Sequence, residues 1–159
     1  MQLRRQEIIP GVFLNSIRTD KFKFDCLSVS LLTALDRETV SKNALLPRVL
    51  ARGTVFHPDM DSLNAATDAL YGTKLLPLVR KKGEILALGF LAGFLSGRFV
   101  PGGTDLLDQV CALTGELLLN PRTRGGLLWK DYVESEKEKL ADDIRAKRND
   151  KRSYAAGRL

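Results

Sequence analysis

Few side chains in this sequence are equipped for chemistry. There is a single histidine, His57, and there are two cysteines, Cys26 and Cys111. A catalytic zinc takes three protein ligands, usually with histidine among them. His57 stands beside Pro58 and near Asp59 and Asp61, and reads as a surface side chain rather than the core of such a set. A nucleophile and base would need His57 next to Ser62 or a buried cysteine, and the spacing offers no sign of either. The cysteines are far apart on apolar segments and read as buried free thiols of a reducing compartment. Gly102-Gly103-Thr104 precedes a helical pattern, but no Lys-Ser/Thr follows, so it reads as a plain loop rather than a phosphate cradle. The long helical pattern near the C-terminus carries Glu136 and, seven residues on, Asp143. That spacing is about two helical turns, which brings both to one side. Glu136 falls in the apolar stripe of Trp129, Val133, Leu140 and Ile144, a poor place for a carboxylate without a partner.

The surrounding elements must position these groups. Residues 11–16 read as a short strand after a Pro-Gly turn, and residues 24–35 as a long strand with Leu27, Val29 and Leu31 toward the core. A helix starts at Glu38 and stops at Gly53, burying Val40, Ala44, Leu45, Val49 and Leu50. Inside it, Pro47 removes a backbone donor and should kink the helix. Arg48 lies four residues after Ala44, on the same face. Asp61 or Ser62 caps a helix to about Leu70. Residues 74–79 and 85–95 form two antiparallel strands joined by a basic turn. The second is nearly all apolar, hence central, with Gly89 and Gly93 marking close backbone approach. Thr104 or Asp105 caps a helix to Leu119, and residues 127–148 form a long helix. Hairpins and consecutive helices, without strand–helix alternation, predict an α+β domain: an antiparallel sheet with helices packed on one face.

The 159 residues suit one domain. Apolar residues at 44% and charged ones at 28% match an ordinary globular protein. No apolar run reaches the roughly 18 residues of a membrane span, and MQLRRQEII has no following apolar region or cleavage site, so no signal peptide is read. A cytoplasmic location is expected. The formal charge of +6 raises a nucleic-acid partner, but the charges are dispersed and alternate in sign near the C-terminus, as on a solvated helix face.

The segment NALLPRVLARGT, residues 43–54, resembles the metal-binding helix of the pitrilysin and mitochondrial processing peptidase family. Working members carry H-x-x-E-H, two zinc ligands one turn apart and a glutamate that activates the bound water, followed by a Gly-Thr pair. Anchored on Gly53-Thr54, the ligand positions fall on Ala44 and Arg48 and the glutamate on Pro47. None keeps its chemistry: alanine has no lone pair, proline no side-chain base, and guanidinium repels a dication. In working relatives a glutamate on the long helix is the third ligand, seven residues after a supporting one. Those positions fall on Asp143 and Glu136. GVFLNSIRTDKFKFDCLSVSLL, ALYG, the turn RKKGE and the tail NDKRSYAAGR are similar to an inactive bacterial subgroup of this family, associated with the aminopentanol modification of elongation factor P.

The resemblance implies the N-terminal portion of a longer family architecture, a single peptidase-like domain over 1–159. It implies a catalytically inactive homologue without catalytic zinc, paired with an active metallopeptidase paralogue and clasping a peptide between them. Arg48 is expected to take over the lost metal's electrostatic role by bridging to Asp143 or Glu136. Exposed apolar edges would favour self-association. The competing readings are an active zinc endopeptidase and a basic nucleic-acid or ribosome-associated module.

Overall fold

The computed structural model describes residues 2–147, 149 and 151–156. The chain runs β1 (Gln2–Ile9), β2 (Val12–Arg18), β3 (Phe24–Ala34), α1 (Val40–Leu50), α2 (Met60–Ala69), β4 (Lys74–Lys82) and β5 (Ile85–Leu95). It continues with α3 (Leu107–Leu119), β6 (Thr123–Arg124), β7 (Leu127–Leu128), α4 (Lys130–Lys147) and α5 (Lys151–Ala156). This is an α+β fold in which every strand pairing is antiparallel. The expected end of the long helix at Arg148, and Asp150 and Arg158 of the tail, lie outside the described residues.

The central sheet has the order β3-β5-β4. Strand β5 is its middle because its sequence suits burial: Leu86, Leu88, Phe90, Ala92 and Phe94 form one wholly buried face. Leu50 of α1, Leu63 of α2 and Val110, Leu113 and Leu117 of α3 pack into a single core with Phe90, Ala92 and Phe94. Burying side chains of this size stabilises the fold by roughly 1.5–3 kcal/mol each. Leu27 and Val29 of β3 turn to the same core as expected, whereas Leu31 is about half exposed near the strand end. No described helix is long and apolar enough to cross a membrane.

Several expectations need correction. Strand β1 has no clear apolar alternation, since Arg4, Arg5, Gln6 and Glu7 interrupt it; it pairs with β2 in a separate hairpin exposed throughout. Residues 127–128 are not the start of the long helix. The Gly125-Gly126 turn, with positive φ at both residues, folds them back on β6, and α4 begins at Lys130. Asp59, not Asp61 or Ser62, caps α2: its carboxylate accepts the Ser62 amide at 2.8 Å while the Ser62 hydroxyl receives the Asp59 amide at 3.3 Å. Helix α1 runs on through Pro47, whose side chain is fully buried in the core. The bond lost is the one residue 47 would give to the Asn43 carbonyl, and the helix continues for one more turn. Both cysteines are free and exposed, not buried.

The two β5 glycines differ. A Cβ on Gly89 would lie 2.1 Å from the Val29 carbonyl oxygen of β3, so β5 can approach β3 only without a side chain there. A Cβ on Gly93 meets nothing within 4 Å, and the expected close approach is absent. Gly89→Ala is therefore expected to cost about 2–3 kcal/mol by forcing backbone apart, while Gly93→Ala changes stability little. Urea unfolding of both variants checks the contrast; equal effects would contradict it.

Candidate functional site

Arg48 and Arg52 lie four residues apart at the C-terminal end of α1, one within its last turn and one just past it. This places both cations at the negative end of the helix dipole and on one face. Helix α4 packs against α1. Its Glu136 and Asp143 face the two arginines in antiparallel order. Arg48 Nη1 lies 2.8 Å from Asp143 Oδ2, and Arg52 Nη1 lies 3.3 Å from Glu136 Oε1. Lys139, one turn along α4, donates to the same Glu136 oxygen at 2.9 Å. The bridge expected between Arg48 and a carboxylate is thus present, with Asp143 as the partner.

The two ion pairs differ in environment. The Asp143 side chain is 54% exposed and Arg48 is 32% exposed, whereas the Glu136 side chain is 9% exposed. Among the described residues of α4, Glu136 alone is buried. Its apolar neighbours in the stripe are less covered: Trp129, Val133 and Leu140 are half-buried and Ile144 is exposed. The acid, not the apolar stripe, is the deepest contact that α4 makes. The Arg52 guanidinium also lies 5.4 Å from the centre of the Tyr132 ring, and its Nε is buried without an acceptor.

The loop after α1 holds Arg52 in place. Gly53 is needed because a Cβ there would lie 2.7 Å from the Pro58 carbonyl oxygen. The Thr54 amide donates to the His57 carbonyl at 2.7 Å, and the His57 amide donates to Thr54 Oγ1 at 2.8 Å. Glu116 of α3 receives the Thr54 hydroxyl and lies 2.8 Å from His57 Nδ1. His57 is therefore a half-buried tie between loop and helix, not the surface histidine that its sequence neighbourhood suggests. Arg122 Nη1 donates to the Pro58 carbonyl at 2.6 Å and to the Tyr132 hydroxyl at 3.0 Å, and its guanidinium stacks 4.3 Å from the Trp129 ring centre. Tyr132 Oη donates to the same carbonyl at 2.8 Å. Sequence reasoning missed Arg52, Glu116 and Arg122. Only Arg52 left a signal, as the residue four beyond Arg48 on the same helix face.

The other groups singled out from sequence are not assembled for catalysis. The Ser62 hydroxyl is taken up by the α2 cap, donating to the Asp59 carbonyl at 2.9 Å. The Ser62 amide, and then its hydroxyl, hold the Asp59 carboxyl below its ordinary value. Partial burial, with Asp108 adding to it, pushes the Cys111 thiol up, away from the thiolate a nucleophile needs. Gly102-Gly103-Thr104 lies in and just after a 3-10 turn, and Leu106 rather than Thr104 or Asp105 is the α3 cap. Asp105 nonetheless accepts the free Leu107 amide at 3.0 Å. Ala44 is half-buried and Pro47 buried on α1. Among the described residues, no three His, Cys, Asp or Glu side chains gather closely enough to hold a metal ion.

A cleft of 590 Å³ opens beside this double ion pair. Arg48, Arg52, Glu136 and Lys139 form one wall, and residues 73–77 with Val79 of the β4 edge form the other.

No family model matches the chain. It is similar to a protein of Bacillus subtilis (strain 168) named probable inactive metalloprotease YmfF, with 35% identity over 149 residues. This chain is homologous to that protein. The match takes in 94% of this chain but 35% of the relative, so the chain spans about a third of the relative's length. The fold is that of a solved structure, a conserved protein from Enterococcus faecalis V583, with a TM-score of 0.86 and 24% identity. That superposition covers 97% of this chain and 36% of the other.

The difference in burial sets an order of stability effects. Glu136→Gln leaves Arg52 and Lys139 facing a neutral group and is expected to cost about 3 kcal/mol, as breaking a buried pair does. Asp143→Asn should cost less than about 1 kcal/mol, as for an exposed pair. Chemical denaturation of the two variants checks this, and a larger loss from Asp143→Asn would contradict it.

Proposed function

We propose that this chain is part of a catalytically silent member of the pitrilysin-like zinc peptidases, a cytoplasmic peptide-binding partner of an active paralogue. The observation that carries the proposal is the 2.8 Å bridge from Arg48 to Asp143. By resemblance, these positions correspond to the second histidine of H-x-x-E-H and to the third zinc ligand. Homology to a protein named as a probable inactive metalloprotease supports the same reading.

The residues do not fit zinc. Ala44 offers no donor atom, Pro47 no base, and Arg48 places a cation at a ligand position. Glu136 is already held by two cations.

The β4 edge supports the peptide-binding reading. Strand β4 pairs only with β5 among the described strands, so its other side is open. Pro77, opposite Phe90, has no N–H to give to the ladder; proline sits in an edge strand where that position faces outward. By the two-residue alternation, the main chains of Leu75 and Val79 face outward as well. All three residues line the cleft. An extended peptide would bond to the Leu75 and Val79 amides and carbonyls and lay alternate side chains toward the ion pairs. We extend the proposal to the elongation factor P modification associated with the inactive bacterial subgroup, on sequence resemblance alone.

Zinc analysis after chelation and dialysis tests the silent site, with casein cleavage measured in parallel. The wild-type chain should retain no stoichiometric zinc and cleave nothing. The combined variant Ala44→His, Pro47→Glu, Arg48→His, Asp143→Glu should gain a zinc site. Stoichiometric zinc held by the wild-type side chains, with casein cleavage, would instead establish the active endopeptidase.

A further inference from the structure

The cleft beside β4 carries unbalanced charge. Arg48, Arg52, Lys74 and Lys139 line it, and among the described residues Glu136 is the one acid in its lining. Asp143 neutralises Arg48 from the far side of the pair, and Glu136 is shared by Arg52 and Lys139. On the helix-covered side Arg48, Arg52 and Lys139 therefore meet two carboxylates, while Lys74, paired with Gly93, stands on the other face of β4. Lys74 has no carboxylate within ion-pair distance among the described residues, and Lys139 is 54% exposed. A concave wall of net positive charge favours negative groups on whatever enters. Where working relatives would present a dication held by neutralising ligands, this cleft presents guanidinium and ammonium groups with hydrogen-bond donors to spare.

We infer that the cleft selects extended peptide segments carrying acidic side chains. The inference rests on the peptide-binding reading above and adds the substrate class. A strand laid on the β4 edge sends every second side chain toward the helix-covered side, where the α1 and α4 cations stand. A Glu or Asp side chain there accepts charge-assisted bonds from Lys139 or from the free positions of the Arg48 guanidinium. A Lys or Arg side chain meets like charge, which is a device for excluding basic segments.

The test uses three nine-residue peptides of alternating Thr and Val that differ only in carrying Glu, Gln or Lys at two central positions. Both ends are capped, so that a C-terminal carboxylate cannot substitute for the side chain. Fluorescence anisotropy at low salt should find the Glu peptide bound on the order of tenfold more tightly than the Gln peptide, and the Lys peptide weakest. Added salt should narrow the gap. Lys139→Gln should bring the Glu peptide toward the level of the Gln peptide. Lys74→Gln, at an exposed residue on the other face of β4, is the control and should leave the gap within about twofold. Equal affinity for the Glu and Gln peptides overturns the charge selection and leaves peptide binding standing. Failure to bind any of the three overturns both.

Discussion

A carboxylate buried between two helices is the constraint on which the rest of the site depends. Glu136 is placed where water cannot solvate its charge, and a charge taken out of water is costly unless it is paired. The pairing requires Arg52 from beyond the end of α1 and Lys139 from the next turn of α4. Helix α4 has no other buried residue among those described, so its rotation and height on α1 are set by this contact rather than by an apolar seam. Arg48 and Asp143 then meet two turns along, a nearer-surface pair that follows from the register Glu136 imposes.

That demand propagates into the loop after α1. Arg52 reaches α4 only because the chain turns at once, with Gly53 against the Pro58 carbonyl. The turn is held from α3 by Glu116, through Thr54 and His57, and from the α4 side by Arg122 and Tyr132 on the same Pro58 carbonyl. The single histidine thus supports the loop that orients the arginine. The open β4 edge and the cationic wall face each other across one cleft because α1 and α4 are fixed in this way over the end of the sheet. The proposed peptide binding rests on this arrangement.

Much of this was legible in the sequence, for physical reasons. The apolar run of residues 85–95 suits a central strand, and the bounds of β5, Ile85–Leu95, agree at both ends. The helix ending before Gly53 followed from its period and its stop, and Glu136 betrayed itself as an acid in an apolar stripe. What escaped was whatever depends on tertiary partners. His57 looked solitary because Glu116 is 59 residues away along the chain. Strand β1 carries charges on both faces and only the Pro10-Gly11 turn brings it against β2. The 127–128 segment has a helical composition, yet the two preceding glycines override it with a tight turn. The two cysteines lie on segments of apolar composition but on their exposed faces, a distinction that composition alone does not carry.

The α1–α4 ion cluster can be interrogated directly by a double-mutant cycle between Arg52→Gln and Glu136→Gln, read by urea unfolding. If the buried carboxylate and its arginine hold the helices together, the two losses should be strongly non-additive, with a coupling of about 2 kcal/mol. Losses that add within about 0.5 kcal/mol would mean that the helices are held by something else.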